Sequence, residues 1–94
     1  MKAKSIYKIP NGKLLKINLD FDEKLKKINK LNITGDFFAY PEESIEHIEN
    51  ELINSDIDIN IINKKIEKII IAHNIHFIGI DSEGITKAIM MCLK

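Results

Sequence analysis

LLKINLDF, residues 14–21, sets Leu15, Ile17, Leu19 and Phe21 in strict alternation with Lys16, Asn18 and Asp20. A period of two is that of a strand, so this segment buries one face and offers the other to water. Just upstream lies Pro10-Asn11-Gly12, in which Asn-Gly supplies the two positive-φ positions of a tight hairpin turn. Residues 2–9 are therefore the partner strand. Downstream, DFDEK (residues 20–24) makes the next turn and KINKLNIT (residues 27–34) a third strand, with Leu31 and Ile33 inward and Lys30 and Asn32 outward. The outcome is a three-stranded antiparallel meander whose apolar face needs a cover.

Two or three helices provide it. Pro41 suits a first helical position, Glu42, Glu43 and Glu46 place negative charge near the positive end of the helix dipole, and Ile45, Ile48, Leu52 and Ile53 recur at helical spacing. This reading predicts a helix over 41–53. Asp58 can cap a second helix whose apolar stripe is Ile59, Ile62, Ile66, Ile69 and Ile70. The β-branched run Ile69-Ile70-Ile71 could be strand, but it continues the stripe without turn residues, which predicts helix to about His73. IHFIGID, residues 75–81, reads as extended, and Asp81 or Ser82 caps a last helix with Ile85, Ala88, Ile89, Cys92 and Leu93 on its apolar side. The fold class is α+β, in a single domain spanning residues 1–94.

The totals agree with one core. A chain of 94 residues buries only about 60–65% of its unfolded surface, too little to divide between two domains. Hydrophobic residues at 45% and charged residues at 30% match an ordinary globular protein. The longest uncharged stretch, IIIAHNIHFIGI at 69–80, is too short to span a bilayer and carries two histidines, so no membrane partner is expected. The start MKAKSIYKIPNG has no apolar run behind its lysines, which speaks against a secretory signal and for a cytoplasmic protein. All 14 basic residues are lysine, and without the arginine fork nucleic acid is a poor partner. The net charge of zero hides a split: residues 1–30 hold nine lysines against three acids, and residues 36–60 hold eight acids and no lysine. Such asymmetry can steer a charged partner, and a solvated basic hairpin with a solvated acidic helix face is the plainer account.

Catalytic groupings are thin. The four glycines, Gly12, Gly35, Gly79 and Gly84, stand apart, so no phosphate-cradling loop exists. His73 and His76 are three apart, a separation at which a helix can present two metal ligands, with His47 as a third. Lacking a cysteine or carboxylate at matching spacing, they read more plainly as histidines near a helix end, and no metal site is assigned. A small metal-dependent enzyme built on these three histidines is the remotest of the functional readings. The lone Cys92, beside an apolar stripe, fits a small core residue better than a nucleophile.

The strand-to-helix junction NITGDFFAYPEES, residues 32–44, is more distinctive. Together with the NGKLLKINLDF hairpin, the Ile33-Thr34-Gly35-Asp36-Phe37-Phe38 element, the Pro-Glu-Glu helix start and Gly79-Ile80-Asp81 before the last helix, it resembles the C-terminal accessory domain of lipoate protein ligase, in the form encoded as a separate small subunit. The chain departs from that pattern at Asn54-Ser55, where members often carry glycine, and at Gly84, where an acid is common. The resemblance implies a three-stranded antiparallel sheet packed by helices, similar to the iron–sulfur scaffold proteins of the NifU and SufE type. It also implies an accessory subunit without catalytic residues, which binds the catalytic large subunit and promotes lipoate adenylation. ATP, magnesium and lipoate then belong to the complex, no cofactor to this chain alone, and lipoyl acceptor domains are indirect partners. The alternative is a stand-alone interaction or scaffold domain with another protein partner.

Within that junction the expected partner interface comprises Thr34, Gly35, Asp36, Phe37, Phe38, Tyr40 and Pro41. Gly35 permits a backbone conformation or close approach closed to other residues, and Asp36 can accept hydrogen bonds from amides of the turning chain. Phe37 and Phe38 are adjacent, so in an extended segment they point to opposite sides. One can enter the core while the other faces outward or toward a neighbouring chain; the alternative is that both rings sit in the domain's own core.

Overall fold

Strands β1 (Lys2–Lys8), β2 (Leu14–Asp22) and β3 (Lys27–Gly35) form the expected antiparallel meander, with β2 in the middle. The coordinates are a computed structural model describing residues 1–93; Lys94, the end of the expected domain, lies outside the described residues. Leu15, Ile17, Leu19 and Phe21 of β2 are all buried, and Lys16 and Asn18 face solvent, as alternation requires.

The hairpin turn uses one positive-φ residue rather than two. Asn11 takes φ +60°, while Gly12 is needed for closeness: a Cβ there would stand 2.6 Å from the Gly79 carbonyl oxygen. The second turn lies later than DFDEK. Strand β2 runs to Asp22, whose Oδ1 accepts from the amides of Lys24 and Leu25, and Lys26 closes the turn at φ +53°. A bulge between Asp20 and Phe21 then resets the register: Asp20 pairs with Lys30 but Phe21 pairs with Ile28, leaving Asn29 unpaired. Simple alternation from Ile33 and Leu31 would have pointed Asn29 inward; the extra residue puts Ile28 there, fully buried.

Three helices cover the apolar face: α1 (Ser44–Glu51), α2 (Ile59–Ala72) and α3 (Ser82–Met91). Helix α1 is shorter than the predicted 41–53. Pro41 sits in the turn before it, after a cis Tyr40–Pro41 peptide, and the Ser44 amide donates to the Pro41 carbonyl at 3.0 Å. Of the α1 residues expected inside, Ile48 is buried, as is Leu52 just past the end, but Ile53 is exposed. Asn54 follows at φ +67°, the left-handed conformation that a glycine would otherwise supply, and its amide donates to Ile28 O at 2.7 Å. Asp58 caps α2 as predicted, accepting from the Asn60 and Ile61 amides, and the helix runs to its expected end with His73 as C-cap. Ile62, Ile66 and Ile69 of its stripe are buried, whereas Ile59 at the mouth of the helix faces water. Asp81, not Ser82, caps α3 through the Gly84 amide at 2.7 Å. Ile85, Ala88, Ile89 and Cys92 are buried as expected, and Leu93 is exposed.

Two polar contacts tie helices to the sheet. Ser5 on β1 donates from Oγ to Ala88 O of α3 at 2.6 Å. Glu49 of α1 accepts from the Ile33 amide at 2.7 Å, occupying a donor on the outer edge of β3. The sheet's other face, including Lys4, Lys16 and Lys30, is open to solvent. No helix among the described residues is long and apolar enough to cross a membrane.

Candidate functional site

Beyond β3 the chain makes two further short strands. Strand β4 (Phe38–Tyr40) pairs antiparallel with β5 (His76–Ile78), in a two-stranded ribbon separate from the main sheet. The extended reading of residues 75–81 therefore holds for β5. Its partner β4 was not expected, because three residues are too few to display a period.

Gly35 makes the exit from the meander. It takes φ +152°, and a Cβ there would lie 2.2 Å from the Leu14 carbonyl oxygen and 3.2 Å from Leu15 Cα, so both its conformation and its closeness exclude a side chain. Asp36 contributes differently from expectation. No hydrogen bond to its carboxylate is found among the described residues; its backbone amide instead donates to Leu14 O at 3.2 Å, extending the ladder one step past Gly35. Thr34 is exposed on the outer face of the sheet, opposite Lys16.

Phe37 and Phe38 part as their adjacency demands. Phe37 is half-buried against the core, and Phe38 is 60% exposed. Directly opposed residues of an antiparallel pair share a face. Phe38 is opposite Ile78, and Tyr40 opposite His76, so all four leave the ribbon on one side, while Ala39 and Phe77 turn to the other and Phe77 packs on the core. Tyr40 is 51% and Ile78 55% exposed, giving Phe38, Tyr40 and Ile78 a continuous outward apolar surface with His76 at its edge. Pro41, also exposed, follows Tyr40 directly. The structure thus gathers Phe38, Tyr40 and Pro41 and adds Ile78 and His76, which sequence reasoning missed. The signal was present: His76 and Ile78 alternate with Phe77 in a segment already read as extended.

The position of the ribbon is fixed from the hairpin side. The Lys13 amide donates to Gly79 O at 2.8 Å, just past β5, and Gly79 takes φ +94° there.

The histidines divide. His47 on α1 and His73 at the end of α2 stack with ring centroids 4.1 Å apart and planes 10° apart, and His73 Nε2 lies 3.1 Å from Glu51 Oε2. His76, on the outward face of β5, takes no part in that group. Cys92 is buried, its Sγ 3.7 Å from Ala88 O, and burial pushes the thiol pKa up, an effect that the neighbouring Ser5 side chain partly offsets. A thiol that resists ionisation is an inert core group.

Residues 8–89 match the family described as bacterial lipoate protein ligase C-terminus. A curated relative, lipoate-protein ligase A subunit 2 of Thermoplasma acidophilum, is 40% identical over 45 residues. That match covers 48% of this chain and 46% of the relative, so it spans about half the length of the curated protein. Among solved structures, a chain from an archaeal lipoylation system, a bi-partite lipoate protein ligase and its E2 lipoyl domain from Thermoplasma acidophilum, superposes with a TM-score of 0.72 at 30% identity, covering 95% of this chain and 94% of that one. With the family match extending over most of its length, and the α+β architecture shared with that solved chain, this chain belongs to the bacterial lipoate protein ligase C-terminus family.

Proposed function

We propose that this chain is the accessory subunit of a two-part lipoate protein ligase, that it docks on the catalytic large subunit through the outward face of the β4–β5 ribbon, and that docking promotes ATP-dependent adenylation of lipoate. The observation that carries the proposal is the exposed surface of Phe38, Tyr40 and Ile78, held by a rigid Gly35 turn. Aromatic side chains on a preorganised element are the usual anchors of a protein interface, where a few of them supply most of the binding energy. The family membership and the subunit character of the archaeal relatives support the choice of partner.

The contribution of the chain would be conformational. Contacts formed only in the closed state of the catalytic subunit shift its population toward that state, by as much as the two states differ in affinity for this chain. ATP, magnesium and lipoate would be held by the catalytic subunit, and lipoyl acceptor domains would meet the complex rather than this chain directly. The test is lipoate-dependent exchange between ATP and pyrophosphate by the catalytic subunit of the same organism, with and without this chain. Stimulation that saturates with added chain is expected. A rate unchanged at every ratio would remove the adenylation role, and the exposed face would then serve a different protein.

A further inference from the structure

Away from the ribbon face, two helices bring three ligating side chains together. His47 and Glu51 stand four residues apart on α1, about one helical turn, so they share one face of the helix. His73 reaches the same place from the C-cap of α2. One ligand atom of each of His47, Glu51 and His73 lies within 4.8 Å of the other two. We propose that His47, Glu51 and His73 form a binding site for a divalent transition-metal ion of the zinc class.

The donor set suits such an ion. Two imidazoles and one carboxylate are a common three-ligand arrangement for zinc, leaving a fourth position for water or for a group brought by another molecule. Magnesium and calcium favour sites built wholly of oxygen, so the nitrogen pair selects against them. The Glu51 carboxylate offsets part of the ion's charge. An ion pair between His73 and Glu51 alone would require nothing of His47, whose ring nonetheless lies flat on that of His73.

Ligation asks for a small movement. Metal–ligand distances near 2.0–2.2 Å place the donor atoms of a tetrahedral centre roughly 3.3 Å from one another. The in-plane lone pairs of stacked rings also lie in two nearly parallel planes, so one imidazole must turn about χ2 for both to reach one ion. There is room to do so, since the His73 and Glu51 side chains are 34% and 50% exposed and His47 is only partly buried.

The site spans the elements that flank the ribbon. Helix α1 follows β4 in the chain, and His73 lies three residues before β5, so an ion at this position would staple the two segments that carry the paired strands. The inference does not depend on the proposed docking role, because it concerns the isolated chain.

The test is a titration of the full chain with zinc against a chromophoric chelator, repeated with cobalt(II) as a spectroscopic probe. One equivalent is expected, with the intense visible bands of four-coordinate cobalt. His47→Ala and Glu51→Gln should each weaken binding roughly tenfold or more through loss of a ligand, and His76→Ala should leave it unchanged. Glu51→Gln preserves size and a helix-compatible side chain, so its effect is separable from unfolding, and the melting temperature of every variant in chelator serves as the control. Absence of stoichiometric binding, equal affinity in Glu51→Gln or His47→Ala, or loss of affinity in His76→Ala would each overturn the site.

Discussion

Phe38 stands directly across from Ile78 in the β4–β5 ladder, and the two side chains are 60% and 55% exposed. A cross-strand apolar pair gains from mutual contact, yet this one leaves more than half of each side chain in water. Phe77, next to Ile78, turns the other way and packs on the core, so the ribbon is fixed from behind and its front remains free. Phe38→Ala should therefore change the folding free energy by less than about 0.5 kcal/mol, as for an ordinary surface position. The same substitution should weaken binding to the catalytic subunit by about 2 kcal/mol or more, as truncation of an interface anchor does. Calorimetric titration beside thermal melting separates the two effects. A drop of many degrees in melting temperature would instead make the ring part of the core.

Gly35→Ala should behave in the opposite way. The added methyl would collide with the Leu14 carbonyl oxygen, a backbone atom, and φ +152° is a conformation that L side chains rarely adopt. The end of the β2–β3 ladder must then open, including the bond from the Asp36 amide to Leu14 O. We expect a loss of about 2 kcal/mol or more in urea denaturation. If the variant is as stable as the parent, the close approach at this turn is wrong.

These two positions show what was readable in the sequence and what was not. Local signals carried far: the alternation in β2, the Asp58 and Asp81 caps and the stripe of α2 each depend on neighbours in the chain, and each corresponds to an observed element. The misreadings occur where distant contacts decide. The bulge that swaps Asn29 for Ile28 is set by pairing with β2, and Ile53 and Ile59 face water because none of the described residues buries those helix ends. Strand β4 exists only through its pairing with β5, a segment distant in the chain, so the alternation about Phe77 told that His76 and Ile78 share a side but not that this side joins Phe38 and Tyr40. The adjacency of Phe37 and Phe38, by contrast, allowed one ring in and one out beside the alternative of both in the core, and Phe37 lies half-buried with Phe38 exposed.

Glu49 belongs to the acidic stretch of residues 36–60, where charge alone would class it as a solvated helix residue. Its Oε2 accepts from the Ile33 amide at 2.7 Å, occupying a donor that β2 does not use. A hydrogen bond to a charged acceptor contributes about 1.5–3 kcal/mol net, and screening at this half-exposed position places the expected cost of Glu49→Ala near the low end. Glu49→Gln keeps an acceptor and should recover part of the loss. Amide hydrogen exchange is the sharper readout, because the Ile33 amide should lose protection more than its neighbours on β3. Uniform change along the strand would contradict the assigned bond.

Cys92 gives the chain a dependence on alkaline pH. Burial raises the pKa of its thiol, and the neighbouring Ser5 side chain lowers it in part. A raised folded-state pKa means that the native protein holds the proton more tightly than the unfolded chain, so this contribution is fully present below the unfolded thiol's pKa. It is lost progressively as pH climbs from there through the folded value. Stability should therefore be flat through neutrality and begin to fall above about pH 8, where a free thiol starts to ionise. The measurement is the difference between the parent and Cys92→Ala, whose curve should lack this part of the decline. Native protein should also react slowly with a disulfide reagent near pH 8 and quickly once urea unfolds it. Fast reaction of the folded chain, or parallel pH curves for parent and variant, would show that the thiol is not held in the core as described.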